Sequence, residues 1–479
     1  SDPRFISVAA TGFNGRAAHY SNPGACLLVA AVGAEPRNNE GIFTTDRQGS
    51  LGYNFVRTFD DDDYWNYAGN FNGTSASAPQ IAGIAALILG TNPNLSYRDV
   101  QQILIHSARH FDLADPMLAT NGAGFVVSHN VGFGIPDAGE AVRLASQWQN
   151  RPALSKVRVG LTNSLPIPDA GLRVHLFGEN LPGELTSVIA SPSRGLHPDE
   201  PTLQLPVVDV GTANSEIEMD LTGKAALILR NTNSFAAKIN NAAQAGASFA
   251  IIYNSSTNPV FAMAETEYVN IPAVFIPQTE GELLRDFVAT NSAEAKLQLL
   301  SATATLDVND TLLCEHVGLR VKANHPWRGD LRITLTSPSG TRSILQHLNT
   351  DTNVFTNSWT YYSTHHFYES SAGTWTVAVT DEFADGTGSI EELELIIYGT
   401  PITDSDADGL DDNWEITHLN SLTALPTDDP DQDGYNNARE QILGTNPLEP
   451  NLPLLISLAQ WDASHFRASW PANPHFDYQ

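Results

Sequence analysis

Basic residues are scarce in this chain: 25 Lys and Arg stand against 54 Asp and Glu, for a formal net charge of −29. A surface this acidic repels phosphate backbones and makes a poor nucleic-acid binder. It suits a soluble secreted protein or one that holds calcium. Cysteine is nearly absent. Cys26 and Cys314 are the two, in stretches of different texture, so they read as buried free thiols and argue against a disulfide framework. No apolar run is long enough to cross a bilayer. The opening Ser1-Asp2-Pro3 lacks a Met, a leader pattern and a pro-segment and runs straight into a strand-like stretch. The expectation is an internal piece of a longer chain, with further domains beyond both ends, so a missing leader does not count against secretion. At 479 residues, several domains are expected rather than one core.

What is present is organised around residues 72–89. Asn72-Gly73-Thr74-Ser75-Ala76-Ser77-Ala78-Pro79 leads into a run that is small and apolar on every face. This pattern predicts a loop feeding a helix buried in a large core. Pro79 is expected in about the first turn, where a missing N–H costs least. A serine at such a helix start has an outward amide able to meet an oxyanion and a hydroxyl that a base can activate. Taken alone, Ser75 fits an N-cap serine equally well.

Gly-Thr-Ser-x-Ser-x-Pro on such a helix resembles the nucleophile motif of subtilisin-like serine proteases. The flanks extend the resemblance. Phe5-Ile6-Ser7-Val8-Ala9-Ala10 and Ala18-His19-Tyr20-Ser21-Asn22-Pro23-Gly24 look like the preceding family segments. Asn92-Pro93-Asn94-Leu95-Ser96-Tyr97-Arg98-Asp99 and Val127-Ser128-His129-Asn130-Val131-Gly132-Phe133-Gly134 look like the kexin/furin branch, over roughly residues 1–150. The resemblance implies peptide-bond hydrolysis through an acyl-enzyme on Ser75, with a His as base, an Asp orienting it and an Asn in the oxyanion hole. In that family all three precede the Ser, so they are expected before Ser1. His19, His106, His110 and His129 match positions the family uses for structure. Selection of basic residues at the cleavage site is implied by the branch alone.

The remaining chain reads as a series of modules. Residues 4–10 and 27–33 are expected as buried parallel strands. Between Gly33 and Ser75 lies a polar excursion with Asp60 to Asp63 followed by Tyr64-Trp65-Asn66-Tyr67. It is read as a solvated insertion, with an acidic rim on a substrate cleft as the alternative. Ser96 with Asp99 predicts a capping box, and Val100, Ile103 and Leu104 a one-sided apolar stripe. A last amphipathic helix over 138–148 closes the first domain near 151. Residues 157–302 resemble the protease-associated domain, on Leu221-Thr222-Gly223-Lys224-Ala225-Ala226-Leu227-Ile228, Gly246-Ala247, Tyr253-Asn254 and Ile271-Pro272-Ala273-Val274. Residues 303–400 alternate in short strands. Arg328-Gly329-Asp330-Leu331, Leu335 to Thr341, Gly373-Thr374-Trp375-Thr376-Val377 and Gly388-Ser389-Ile390 resemble the P domain of kexin-like proteases. The Arg-Gly-Asp tripeptide there reads as part of a sandwich, not as an adhesive signal.

Residues 404–415 and 429–440 repeat one pattern. Asp404, Asp406, Asp408, Asp412 and Glu415 fall at loop positions 1, 3, 5, 9 and 12, with Gly409 at 6. Asp429, Asp431, Asp433, Asn437 and Glu440 repeat it around Gly434. A hard cation takes six to eight oxygens, and such a loop supplies them from alternate acids, a backbone carbonyl at position 7 (Leu410 and Tyr435) and a closing Glu. These segments, 401–450, resemble thrombospondin type 3 or dockerin-like calcium loops, so Ca²⁺ is the expected cofactor. Residues 451–479 read as the start of another β domain.

The expected architecture is multidomain: an α/β subtilisin-like C-terminal half at 1–151, an α+β protease-associated-like domain, an all-β sandwich and calcium-binding loops. The expected function is a secreted calcium-dependent serine endopeptidase, of which this piece lacks the Asp, His and Asn. Its partners are protein or peptide substrates, with no nucleic acid and no membrane-spanning segment. The alternative is a non-catalytic calcium-binding surface protein carrying a protease remnant.

Overall fold

Two short runs of small apolar residues, Ser7–Thr11 and Leu27–Val32, pair in parallel, with Val8 opposite Val29 and Ala10 opposite Ala31. The computed structural model describes residues 2–38, 40–47, 52, 67–196, 202–264, 266, 269–384, 386–450, 458–461 and 466–469. The Asp60 to Asn66 stretch lies outside them. Ile42–Thr45 pairs antiparallel with Tyr67–Phe71 and returns the excursion to the strand ends. Three helices follow: α1 over Thr74–Thr91, α2 over Tyr97–His106 and α3 over Ala138–Gln147.

α1 departs from expectation in three ways. Its N-cap is Gly73, so Ser75 sits in the first turn rather than at the cap. Pro79 is the sixth helical residue, in the second turn, where its missing N–H leaves the Ser75 carbonyl without its helical donor. The helix is also not buried all round. Ala76, Ser77, Ile81 and Ile88 face the core, while Leu87 and Leu89 are 54% and 40% exposed. Among the described residues the sheet beneath it has two strands, which cover one side of a helix only.

α2 departs in the other direction. Its capping box forms: the Ser96 hydroxyl accepts from the Asp99 amide at 3.4 Å, and Asp99 accepts from the Ser96 amide at 2.7 Å. Yet every residue from Arg98 to His106 is buried, not just the apolar stripe. The polar face is covered by the β-sandwich that follows.

That sandwich has a four-stranded sheet, in the order Ala302–Val308, Gly373–Asp381, Leu331–Thr336 and Arg342–Gln346. Its five-stranded sheet is built on Gly388–Pro401, Leu312–Asn324 and Trp359–Ser363. Two further strands, Ser155–Leu161 and Leu165–Ile167, pair with Gly388–Pro401. The expected boundary at 157 therefore falls inside a sandwich strand. Val157, Val159 and Leu161 alternate onto the sandwich core, the period-2 pattern that fixes a strand's face.

Residues 172–299 are inserted between these sandwich strands as one mixed eight-stranded sheet. Leu205–Asp209, Ala225–Leu229, Phe249–Tyr253 and Ala273–Ile276 run parallel at its centre. Helices α4 (Phe235–Gln244) and α5 (Gln278–Val288) pack on opposite faces, Ile239 in one core and Leu284 in the other. The doubly buried strands read as continuous apolar runs for that reason.

After Pro401 come the two acidic loops, each followed by a short helix, α6 (Asp412–His418) and α7 (Asn437–Leu443). One core unites the ends of the molecule. Ile103, Leu104, Val127 and Phe133 of the first segment pack with Leu313, Phe367 and Tyr368 of the sandwich and with Leu410, Ala438 and Ile442 of the loop region. Cys314 is buried as expected, but Cys26 is only half-buried. Beyond 450, Leu458–Trp461 and Phe466–Ser469 pair as a hairpin, and the rest of 451–479 lies outside the described residues.

Candidate active site and acidic loops

Ser75 is exposed one residue inside α1, behind a glycine whose φ of 101° side chains avoid. Gly73 has no side chain to cap the helix; its carbonyl accepts from the Ala76 amide at 2.9 Å, and no capping side chain competes for the Ser75 amide, the donor on which oxyanion stabilisation depends. The turn is fixed from below by the end of the second strand. The Gly73 amide donates to the Gly33 carbonyl at 2.9 Å and to the Tyr20 hydroxyl at 3.1 Å. The Tyr20 hydroxyl lies 2.6 Å from the Gly33 carbonyl. Ser77 donates to the Ala31 carbonyl at 3.1 Å, and Gln80 to the Val32 carbonyl at 2.6 Å. A Cβ on Gly33 would approach Ala10, Tyr20 and Ser77 to 2.7, 2.7 and 2.8 Å, so this close packing requires glycine.

The histidines are each engaged elsewhere. His19 meets Glu35 at 2.7 Å. Burial raises the Glu35 carboxyl, and the bonds from His19 and the Arg37 amide outweigh it, holding the group below its usual range. His106 is enclosed by Phe125, Trp148, Phe367 and Tyr368. His110 meets the Val126 carbonyl at 3.1 Å, and His129 accepts from the Ile344 amide at 2.8 Å. Sequence reasoning misses the roles of Tyr20 and Gly33, although Tyr20 lies within the motif at 18–24.

The two acidic loops have one geometry. The carboxylates of Asp404, Asp406 and Asp408 offer oxygens within 4.8 Å of one another, and so do those of Asp429, Asp431 and Asp433. Gly409 and Gly434 take φ of 100° and 91° at position 6. Ala407 and Gln432 both take φ of 62° at position 4, a left-handed turn that the sequence does not announce. Backbone amides donate to the acids in matching fashion: Gly409 to Asp404 and Gly434 to Asp429, each at 3.0 Å. Leu410 donates to Asp408 and Tyr435 to Asp433, each at 2.7 Å.

Burial raises the Asp408 carboxyl to about 6 and Glu415 to about 7, with the neighbouring acids adding to both. Burial likewise raises Asp431 to about 6, with Asp433 and Asp429 adding. Glu415 is 0% exposed, and neither of its carboxylate oxygens has a hydrogen-bond partner. One oxygen each of Asp408, Asp429, Asp431 and Asn437 is buried and unpartnered too. Such oxygen-rich, donor-poor clusters fit a hard divalent cation. Asp412 departs from the expected set: its carboxylate accepts from the Ser405 amide at 2.8 Å and the Ser405 hydroxyl at 2.5 Å, which hold it below its usual range. Glu440 is fully buried at the twelfth position of its loop. Arg328-Gly329-Asp330 forms a short 3₁₀ turn, with Gly329 buried and Arg328 paired to Asp351.

Comparison with known proteins places these elements. The Subtilase family matches residues 3–134, the PA domain residues 200–284 and the proprotein convertase P-domain residues 314–397. Furin-like protease 1, isoform 1-CRR, of Drosophila melanogaster is 32% identical over 154 residues, covering 32% of this chain and 12% of that protein. PC3-like endoprotease variant B of Hydra vulgaris is 38% identical over 155 residues, covering 32% and 19%. Proprotein convertase subtilisin/kexin type 5 of Homo sapiens is 25% identical over 404 residues, covering 83% and 14%. The chain thus spans under a fifth of the length of these relatives. Its subtilase, PA and P-domain segments are thus similar to those of furin-like and proprotein-convertase proteases.

Proposed function

We propose that this chain carries the nucleophile half of the catalytic domain, with accessory modules, of a secreted calcium-dependent serine endopeptidase. The observation that carries this reading is the placement of Ser75: exposed, on the first turn of a helix capped by glycine, and held by Gly33 and Tyr20. In the reaction, a base takes the Ser75 hydroxyl proton, Oγ attacks the scissile carbonyl, and the Ser75 amide meets the oxyanion. In a subtilisin-like protease that base is a His, oriented by an Asp, with a side-chain Asn as the second oxyanion donor. The residues that would hold Ca²⁺ are Asp404, Asp406, Asp408 and Glu415 in one loop and Asp429, Asp431, Asp433 and Glu440 in the other, with the Leu410 and Tyr435 carbonyls. The unpartnered buried oxygens support that assignment.

A serine hydroxyl without a base is a poor nucleophile, and loss of an oxyanion donor alone costs on the order of 10²–10³ in rate. The 479-residue chain is therefore expected neither to cleave peptides nor to label with a fluorophosphonate. With the upstream half restored, Ser75 should label, and Ser75→Ala should abolish labelling. Stoichiometric labelling of Ser75 in the chain as it stands would mean that another residue acts as base.

A further inference from the structure

The two acidic loops do more than present oxygens. The side chains between the second loop's ligands reach outward to the subtilase segment. In the second loop, the Tyr435 hydroxyl donates to Glu140 of α3 at 3.2 Å, and Asn436 donates to the Ala123 carbonyl at 3.1 Å. Arg439 on α7 stacks on the Tyr435 ring and donates to the His106 carbonyl, at the end of α2, at 2.8 Å. The Ile442 carbonyl accepts from Arg151 at 3.1 Å. The first loop faces the P-domain: Gly409 packs on the backbone of residues 368–370, and Leu410 is fully buried in the shared core. Gln441 ties the loops together, accepting from the Asp411 amide at 2.6 Å and donating to the Gly409 carbonyl at 3.2 Å.

We infer that the paired loops form a calcium-operated clamp that holds the subtilase segment against the P-domain. The inference rests on the reading of the loops as calcium sites. Without a cation, crowded carboxylates repel one another and oppose the closed loop. Fully buried Glu415, with both oxygens unpartnered, lies among the first-loop acids and is the group such an ion would satisfy. The outward contacts and the inward ligands share the same few residues of backbone, so order in one requires order in the other. Ca²⁺ binding at 404–440 therefore stabilises α2, α3 and the 121–125 turn, which carry none of the ligands.

The test uses the full chain, stripped with chelator and titrated with Ca²⁺ alone. Calorimetry reads binding, and hydrogen exchange reads order. If the clamp operates, Ca²⁺ slows exchange at 103–110, 121–125 and 140–151 as well as within the loops, by about tenfold for each tenfold excess of ion over its dissociation constant. Arg439→Met, which removes the bond to His106 and no carboxylate, should bind Ca²⁺ with unchanged stoichiometry and lose most of the remote protection. Binding with protection confined to 403–443, or full remote protection in Arg439→Met, would overturn the clamp and leave the calcium sites standing. Absence of calcium heat at millimolar ion would overturn both.

Discussion

The Arg98 guanidinium and the Glu315 carboxylate meet as a buried fork across 217 residues of sequence, Nε to Oε2 at 2.8 Å. Arg98 also donates to the Pro152 carbonyl at 2.6 Å and to Thr400 at 3.2 Å, so one side chain of α2 joins the subtilase segment, the linker and two adjacent strands at one end of the P-domain's five-stranded sheet. Arg98→Met leaves Glu315 buried and unpaired and is expected to cost about 3–5 kcal/mol, whereas Arg98→Met with Glu315→Leu should recover much of it. Urea unfolding of the three variants reads this. A double variant as unstable as the summed singles would contradict it.

The same interface predicts that the subtilase segment cannot stand alone. A chain ending at Arg151 would expose Arg98, Gln101 and Gln102 together with the apolar surface that Leu313, Phe367 and Tyr368 cover. It should be insoluble or molten, with weak near-UV circular dichroism and no cooperative melt. A sharp melting transition from residues 1–151 would count against this.

Tyr20→Phe tests the seating of the nucleophile turn. It removes the hydroxyl between Gly33 and Gly73 but leaves the Gly73 to Gly33 bond. The expected stability loss is about 1 kcal/mol. In the completed protease, kcat should fall about tenfold with KM little changed, because the turn's aim is altered and its binding surface is not. An unchanged kcat would show that Gly33 alone positions Ser75.

Acid should loosen the subtilase–P-domain interface. His129 packs against His365 with ring centroids 4.0 Å apart and against His347 at 5.7 Å, with His366 and Arg342 close by. Burial lowers His365 from 6.5 to about 3 and His316 to about 4, and it holds His129 and His106 well below their usual range. The unfolded chain thus binds more protons than the folded one below pH 6.5, so stability is full above that pH and declines as pH falls towards the folded values. His325, raised because its bonds to Asp381 and the Trp327 carbonyl outweigh burial, works in the opposite sense, and so do the raised carboxyls of Asp408, Asp431 and Glu415 where no ion is bound, so the comparison is made with Ca²⁺ present. Melting temperatures should drop steadily from about pH 6.5 to about pH 4.5. A flat profile would mean that the histidines stay solvated or paired.

For the loops, Asp408→Ala and Asp433→Ala should each remove one calcium site and leave the other. Calorimetry on the full chain would show one fewer ion in each variant. Loss of both sites from one substitution would mean that the loops bind cooperatively through Gln441, and unchanged stoichiometry would rule the acids out as ligands.

Local chemistry makes much of this protein legible from its residues alone. The nucleophile helix, the capping box at Ser96 and Asp99 and the twin loops with glycine at position 6 depend on neighbours within a dozen residues, and composition expresses such dependence directly. What the sequence cannot express are relationships between distant surfaces. The polar side of α2 reads as solvent-facing by periodicity and is buried because Glu315, His316 and Tyr368 of the P-domain supply partners for Arg98, Gln101 and Gln102. The apolar outer side of α1 reads as core and is exposed because, among the described residues, two strands cover one side of the helix only. The strands at 155–167 lie before the PA insertion but complete a sheet whose other members follow it, a pairing that depends on backbone hydrogen bonds and carries little residue-specific signal. Burial belongs to a pair of surfaces, and a single stretch of sequence describes only one of them.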